Sequence, residues 1–454
     1  MTTLPATIGY ARGLLLLSVP IIGGHLAQML LHVTDTVILG WYGVAELAAL
    51  VLATSFFFFL YILGSGAGTA LMGMLATSIG RGDEIQVRRD TRMGLWLSAA
   101  YGVAAVPVLY WSGPLLVGLG QEPEIAALAQ EYLRIAGFGM APALIVMALR
   151  SYFAALERAA VVLWVTLVAV VVNGLLNWAL VFGHWGAPEM GVQGSAIATL
   201  VVQVASACAL ILYAWWLPAT RQFRLFGRFW RLDGPTMWQV LRLGLPAGIT
   251  ALAESGMFIA AALMMGWLGR VELAAHGIAL QVGGLAFMVY MGLSNAATVK
   301  LGRAYGERDA VAMRGNIRAS IWLTLAVCAV LISAMLFAPR TIIGAFLDED
   351  QANVAAILDF GTRLLAIAAL FQLFDALQVL ALGFLRSVLD ARVPMCLAAI
   401  SYWMIGLPAS YLIAFPGGMG GIGIWIGLVI GLAAAAVLLM WRFFAGRWRE
   451  GFAV

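Results

Sequence analysis

The chain has 454 residues, of which 63% are hydrophobic and only 11% charged, and its formal net charge is +4. Ordinary soluble domains are about 25% charged, so this chain cannot build a water-facing shell; disordered, collagenous, coiled-coil and nucleic-acid-binding classes fall on the same grounds. Its apolar runs exceed the roughly 20 residues of a spanning helix and do not alternate, which argues against a β-barrel and for an all-α integral membrane protein.

Twelve apolar segments follow in chain order, at 14–39, 47–79, 93–119, 132–156, 160–183, 193–217, 238–267, 273–302, 317–346, 357–386, 393–415 and 420–444. The first follows a lone Arg12 and shows no small-residue cleavage site, so it reads as a first transmembrane helix and not as a signal peptide. All cations except Lys300 are arginines. Of the 26, 22 fall on the side that holds both termini and the even-numbered loops; only Arg134, Arg270, Arg340 and Arg363 fall on the other. This asymmetry predicts that both termini are cytoplasmic. The same sorting places nine acids on the cytoplasmic side and ten outside, among them Glu122, Glu124, Asp348, Glu349 and Asp350. Three of the 22 acids remain, each inside an apolar helix: Asp35, Glu254 and Asp375. Cys208, Cys328 and Cys396 are isolated in apolar stretches with no CxxC, so neither a disulfide framework nor a metal knuckle is expected.

The chain also repeats itself. At a shift of 226, residues 20–83 align without a gap: Pro20 meets Pro246, Gly40-Trp41 meets Gly266-Trp267, Glu46-Leu47-Ala48-Ala49 meets Glu272-Leu273-Ala274-Ala275, Gly66 meets Gly292, and Asp83 meets Asp309. Met190-Gly191 and Gly194 meet Met419-Gly420 and Gly423 at a shift of 229. Six spans per half make these parallel repeats about an axis along the membrane normal. The predicted organisation is an N-lobe over 1–217, a basic cytoplasmic linker over 218–237 and a C-lobe over 238–454. Two such bundles can rock about a central cavity, which is an alternating-access design.

The embedded acids are not part of the shared scaffold, because Asp35 meets Ala261 and Glu254 meets Gln28. A carboxylate near the bilayer centre costs about 2.5–3.5 kcal/mol, so such groups normally face a cavity or partner on an ion or substrate path. On the first helix His25, Gln28, His32 and Asp35 form one polar stripe, expected to face the interior. His25 and His32 stand about 10 Å apart along the axis and cannot share one metal. No metal site is expected. On the tenth helix Gln372, Asp375 and Gln378 line one side; on the seventh, Ala253, Ser255 and Gly256 leave room around Glu254. Asn173 and Asn177 share a face of the fifth helix, and Thr199 lies on the sixth. Amide and hydroxyl oxygens beside a carboxylate suit Na⁺, and a carboxylate alone suits a proton. The cavity-lining candidates are Gln28, His25, His32, Gln281, Gln372 and Gln378. Trp and Tyr are expected mainly as interfacial belts, and Phe56 to Phe59 as lipid-facing. No embedded arginine is evident. No HExxH, Walker loop or GxGxxG motif occurs and the chain has four His, so an enzyme is not indicated, no cofactor is expected, and an ion or substrate gradient must supply the energy.

These features together resemble the multidrug and toxic compound extrusion (MATE) family, in its NorM-type bacterial branch. The resemblance covers nearly the whole chain and rests on two parallel six-helix halves, on VTDTVILG at 33–40 with Pro20 fifteen residues earlier, on AESGMF at 253–258, and on FQLFDALQVLALGFLRSVLDARVP at 371–394. It implies a V-shaped fold and an antiporter that exports cationic lipophilic compounds in exchange for H⁺ or Na⁺. In that reading Asp35 is the N-lobe carboxylate, linked to bending near the hinge Pro20, with Asn173, Asn177 and Thr199 as partners in a cation site. Glu254 and Asp375 are the C-lobe carboxylates, with Tyr290 near them. His25 and His32 depart from the pattern and add possible titrating groups. Drug and coupling ion would compete for the same buried charge, since low dielectric penalises carrying both or neither. Its partners are small-molecule cations and the bilayer, with no nucleic acid, and a monomer suffices. The alternative within the superfamily is a lipid-linked oligosaccharide flippase, which needs a basic cavity. A major facilitator is disfavoured because the spacing around Gly80-Arg81-Gly82-Asp83 is wrong, and nothing supports an intramembrane enzyme or a channel.

Overall fold

A computed structural model describes residues 4–216, 223, 225, 227, 229–347, 354–446 and 448. The predicted outer acids Asp348, Glu349 and Asp350 and much of the 218–237 linker, including Arg221, Arg224 and Arg228, lie outside the described residues.

All regular structure among the described residues is helical. Twelve helices are long and apolar enough to cross a membrane. They are α1 (Leu4–Tyr42), α2 (Val44–Gly80), α3 (Glu84–Tyr110), α4 (Pro123–Ala155), α5 (Ala159–Phe182), α6 (Gly191–Trp216), α7 (Gly234–Leu268), α8 (Arg270–Glu307), α9 (Ala310–Phe337), α10 (Val354–Ser387), α11 (Arg392–Ala414) and α12 (Gly420–Phe444). In a bilayer core every backbone polar group must be satisfied within the segment, which is why the apolar runs become helices.

Two predicted segments are shifted. Those at 93–119 and 317–346 ran past the true ends, because apolarity alone does not register a break. The backbone leaves the helix at Trp111 (φ −104°, ψ 34°) and Ala338 (φ −128°, ψ 39°) and restarts as the short helices Ser112–Gly118 and Pro339–Gly344. Both also begin earlier than apolarity implies, since aspartate caps extend them into charged sequence. Asp83 accepts from the Gln86 amide at 2.9 Å, and Asp309 accepts from the amides of Val311 and Ala312 at 2.9 and 3.0 Å. An N-cap carboxylate satisfies amides that the first turn leaves unpaired.

The repeat is written into the backbone. Gly82 (φ 70°) and Arg308 (φ 56°) adopt the left-handed conformation at equivalent positions, as do Gly191 (φ 52°) and Gly420 (φ 54°). A side chain at Gly194 would meet the Leu180 carbonyl at 2.6 Å, and one at Gly423 would meet the Ala414 backbone at 2.7 Å. These glycines let paired helices approach by backbone.

The chain forms two compact units, Val19–Gly248 and Met1–Ser18 with Ile249–Val454. The divisions fall beside Pro20 and Pro246, the repeat-matched prolines inside α1 and α7. Within the first unit, the start of α7 lies backbone-to-backbone on α2: an atom added at Gly66 would sit 2.7 Å from the Gly248 nitrogen. In the other unit Tyr10 of α1 fills the space beside Gly315 of α9. Proline removes one helix hydrogen bond without breaking either helix here, which is tolerated where neighbouring helices enclose the backbone.

The three cysteines are free. The Phe56–Phe59 run divides: Phe58 and Phe59 are exposed, but Phe56 and Phe57 pack against the unit's core with Leu50 and Tyr132. Four consecutive helical residues sweep most of a turn and cannot all face one way.

Candidate functional site

The site in the Val19–Gly248 unit is built on α1. Asp35 is 3% exposed. Its Oδ1 accepts from Asn177 Nδ2 at 2.8 Å, and its Oδ2 accepts from Thr199 Oγ1 at 3.1 Å. Asn177 Nδ2 also donates to the Asn173 carbonyl at 3.0 Å, one turn earlier on α5. Both acceptors require N–H, so the amide orientation is determined and Asn177 Oδ1 points elsewhere. Asn173 Oδ1 and Asn177 Oδ1 are buried with no hydrogen-bond partner among the described residues. Three helices thus bring one buried carboxylate together with an amide and a hydroxyl that donate to it.

The stripe residues of α1 differ in exposure along the helix. His25 is buried and Gln28 half-buried, but His32 is exposed. His25 and Gln28 are covered by α4, whose Arg150 donates from Nη2 to Gln28 Oε1 at 2.7 Å and from Nη1 to His25 Nδ1 at 3.3 Å. Exposure at His32 is what a residue lining an open, water-filled cavity shows, and helical spacing keeps it on the side of α1 that carries Asp35. The expectation of no embedded arginine is corrected. Arg150 is 8% exposed, drawn inward by the polar atoms of α1. Nearness to a predicted loop had assigned it to the surface.

The second site lies in the other unit. Gln378 of α10 spans two groups: Nε2 donates to Tyr402 Oη at 2.6 Å and to Glu254 Oε1 at 3.3 Å. Asp375 is buried, close enough to Glu254 for their charges to interact, and its Oδ1 has no partner among the described residues. Gln372 is buried with both amide atoms unpartnered among those residues. Gln372, Asp375 and Gln378 therefore do share one buried face. Tyr290 is buried in a small cluster with Ala286, Cys328, Ala376 and Val379, and no hydrogen bond joins it to either acid. Gln281 is exposed. Trp403 occupies the space beside Ala253 and Gly256: it donates from Nε1 to the Ala253 carbonyl at 3.0 Å, and its ring lies 2.8 Å from where a Gly256 side chain would begin. The half-buried Arg386 interacts electrostatically with Glu254 and donates to Ser294 Oγ at 3.4 Å.

Tyr402 and Trp403 come from a π-helical stretch inside α11, Ile400–Gly406. A π turn widens the helix and redirects side chains, and such turns gather at functional sites. Here it sends Tyr402 to Gln378 and Trp403 to the α7 backbone at Ala253 and Gly256. No motif marked either residue in the sequence.

A model of the MatE family matches residues 20–179 and 246–412, once in each half of the repeat. The chain belongs to the MatE family. It is 47% identical to the probable multidrug resistance protein NorM of Rhizobium meliloti, over 95% of this chain and 93% of that protein. It is 46% identical to the protein of the same name in Agrobacterium fabrum, again over 95% and 93%. Among solved structures, the eukaryotic MATE transporter AtDTX14 superposes with a TM-score of 0.86 and 20% identity, covering 98% of each chain; at that identity the likeness is one of fold. Both MatE matches begin at a helix-interior proline, Pro20 and Pro246, the same pair the internal repeat aligns. Among the described residues of this MatE protein, no group of three or more His, Cys, Asp or Glu is placed to hold a metal ion.

Proposed function

We propose that this MatE transporter exports cationic lipophilic compounds across the bacterial inner membrane in exchange for H⁺ or Na⁺, by alternating access of its two halves. The observation that carries the proposal is Asp35, a buried carboxylate held by Asn177 and Thr199 with no cationic partner among the described residues. A buried anion is costly until a cation arrives, so it supplies a place where a coupling ion and a drug cation exclude one another. In this reading 1–217 and 238–454 act as the lobes joined by 218–237, and both termini lie in the cytoplasm. Pro20 is the bending point of α1. Asp35, Asn173, Asn177 and Thr199 form the N-lobe cation site; Glu254 and Asp375 form the C-lobe site, with Tyr290 packed behind them. Gln28, His25, His32, Gln281, Gln372 and Gln378 line the path, and the working unit is a monomer. A ligand moves the access equilibrium only by its differential affinity for the two states, which loading of these carboxylates provides.

The deciding experiment is efflux of a fluorescent cationic dye from proteoliposomes under an imposed pH or Na⁺ gradient, for wild type, Asp35→Asn, Glu254→Gln and Asp375→Asn. One gradient should drive efflux, and at least one neutralised carboxylate should abolish it. Failure of both gradients in folded protein would overturn the antiport reading. The flippase alternative has one observation in its favour, the buried Arg150, but the embedded carboxylates outnumber the buried arginines and none lies on Arg150. A lipid-linked oligosaccharide translocated by the same liposomes would support that alternative.

A further inference from the structure

Arg150 differs in its surroundings from the embedded charges of the two sites. Glu254 and Arg386 lie within each other's field, and Asp35 has hydrogen-bond donors. Among the described residues Arg150 meets neutral groups: Gln28 Oε1 at 2.7 Å, His25 Nδ1 at 3.3 Å, and Tyr61 of α2 close by. Arginine has no acceptor lone pair, so the His25 Nδ1 that meets it must itself be the acceptor and carry no proton. The guanidinium has five N–H donors and these contacts use two; Nε is buried with no partner among the described residues. A buried cation with spare donors and no carboxylate lacks the counter-charge such groups normally have.

We propose that Arg150 is the centre of a site for a monovalent anion within α1, α2 and α4, taking either a halide or the carboxylate of an organic acid. The guanidinium supplies the charge and the open donors. Gln28 and His25 each accept one N–H, from Nη2 and Nη1, and hold the plane of the fork, which leaves the second N–H of each of these nitrogens for the ligand, while the enclosed Nε takes no part. Gln28 and Tyr61 are half-buried, so the site is reachable from outside the packed core. Because Asp35 is an acceptor of hydrogen bonds and Arg150 only a donor, the unit presents two poles of opposite sign on α1, with Gln28 and Asp35 about 10 Å apart along the axis.

The test is binding of radiolabelled chloride to the purified full-length protein, with thermal unfolding followed as chloride or bromide replaces gluconate at constant ionic strength. Saturable binding and a rise in Tm are expected for wild type. Arg150→Gln should weaken binding at least roughly tenfold, since a charge-assisted pair is lost, and Arg150→Lys should retain part of it. Displacement of chloride by benzoate would identify the carboxylate source; saturable chloride binding untouched by benzoate would identify the halide. Should Arg150→Gln not fold, bromide located by anomalous scattering in wild-type crystals decides the matter, and the bromide must lie on Arg150. No saturable binding to wild type, binding unchanged in folded Arg150→Gln, or bromide bound only elsewhere would overturn the proposal. None of these readouts needs a gradient or a drug, so they stand apart from the antiport experiment.

Discussion

Asn177 ties Asp35 to α5: one amide nitrogen reaches the Asp35 carboxylate at 2.8 Å and the Asn173 carbonyl at 3.0 Å. The amide is thereby oriented from both sides, and the carboxylate is fixed on a rotamer that also meets Thr199. Replacing Asn177 with Ala leaves Asp35 Oδ1 buried without its donor. The expected cost is about 1–3 kcal/mol, read as a lower Tm in detergent. Asn177→Ala should also weaken dependence of dye efflux on the driving gradient. Unchanged stability and unchanged gradient dependence would show that this amide does not hold the carboxylate.

Gln378 performs the corresponding task in the other unit, with Tyr402 and Glu254 sharing its amide. Gln378→Leu removes the donor to Glu254 and leaves Tyr402 Oη without the Gln378 amide. Its effect on efflux should resemble that of Glu254→Gln. In a double-mutant cycle the two substitutions should couple by roughly 1 kcal/mol, as residues in one hydrogen-bond network do. Strict additivity would place them in independent roles.

Gly256 is required by Trp403. A side chain there would begin 2.8 Å from the indole ring, whose Nε1 is already committed to the Ala253 carbonyl. Gly256→Val should therefore destabilise by about 1–3 kcal/mol, the usual cost of overpacking. Gly266 on the same helix has no atom within 4 Å of its added carbon, so Gly266→Ala is a control that should be neutral or stabilising. Tryptophan fluorescence of the Gly256 variant should change, and that of the control should not.

Asp83 and Asp309 cap equivalent helices in the two units. Each Asp→Ala change should cost about 1 kcal/mol, and the pair should add, since neither cap shares a partner with the other. Circular-dichroism melts of both single variants and the double variant would check this. A large cost at one cap and none at the other would mean that the repeated element is used differently in the two halves.

The sequence by itself determined the class of molecule, the number of spans and the duplication. Those depend on apolar runs, charge asymmetry and short-range backbone signals such as Gly82 and Asp83, all of which are local. It also isolated Asp35, Glu254 and Asp375, because a carboxylate in an apolar helix stands out against its neighbours. It could place Asn173 and Asn177 on one face, since a single helix decides that. Only the tertiary structure decided which residues meet. Arg150 read as a loop residue until α1 was laid against α4. The π turn that turns Tyr402 toward Gln378 leaves no local mark in the sequence. Burial and hydrogen bonding are properties of helix pairs, and a pattern along one helix gives only the direction in which a side chain leaves the backbone.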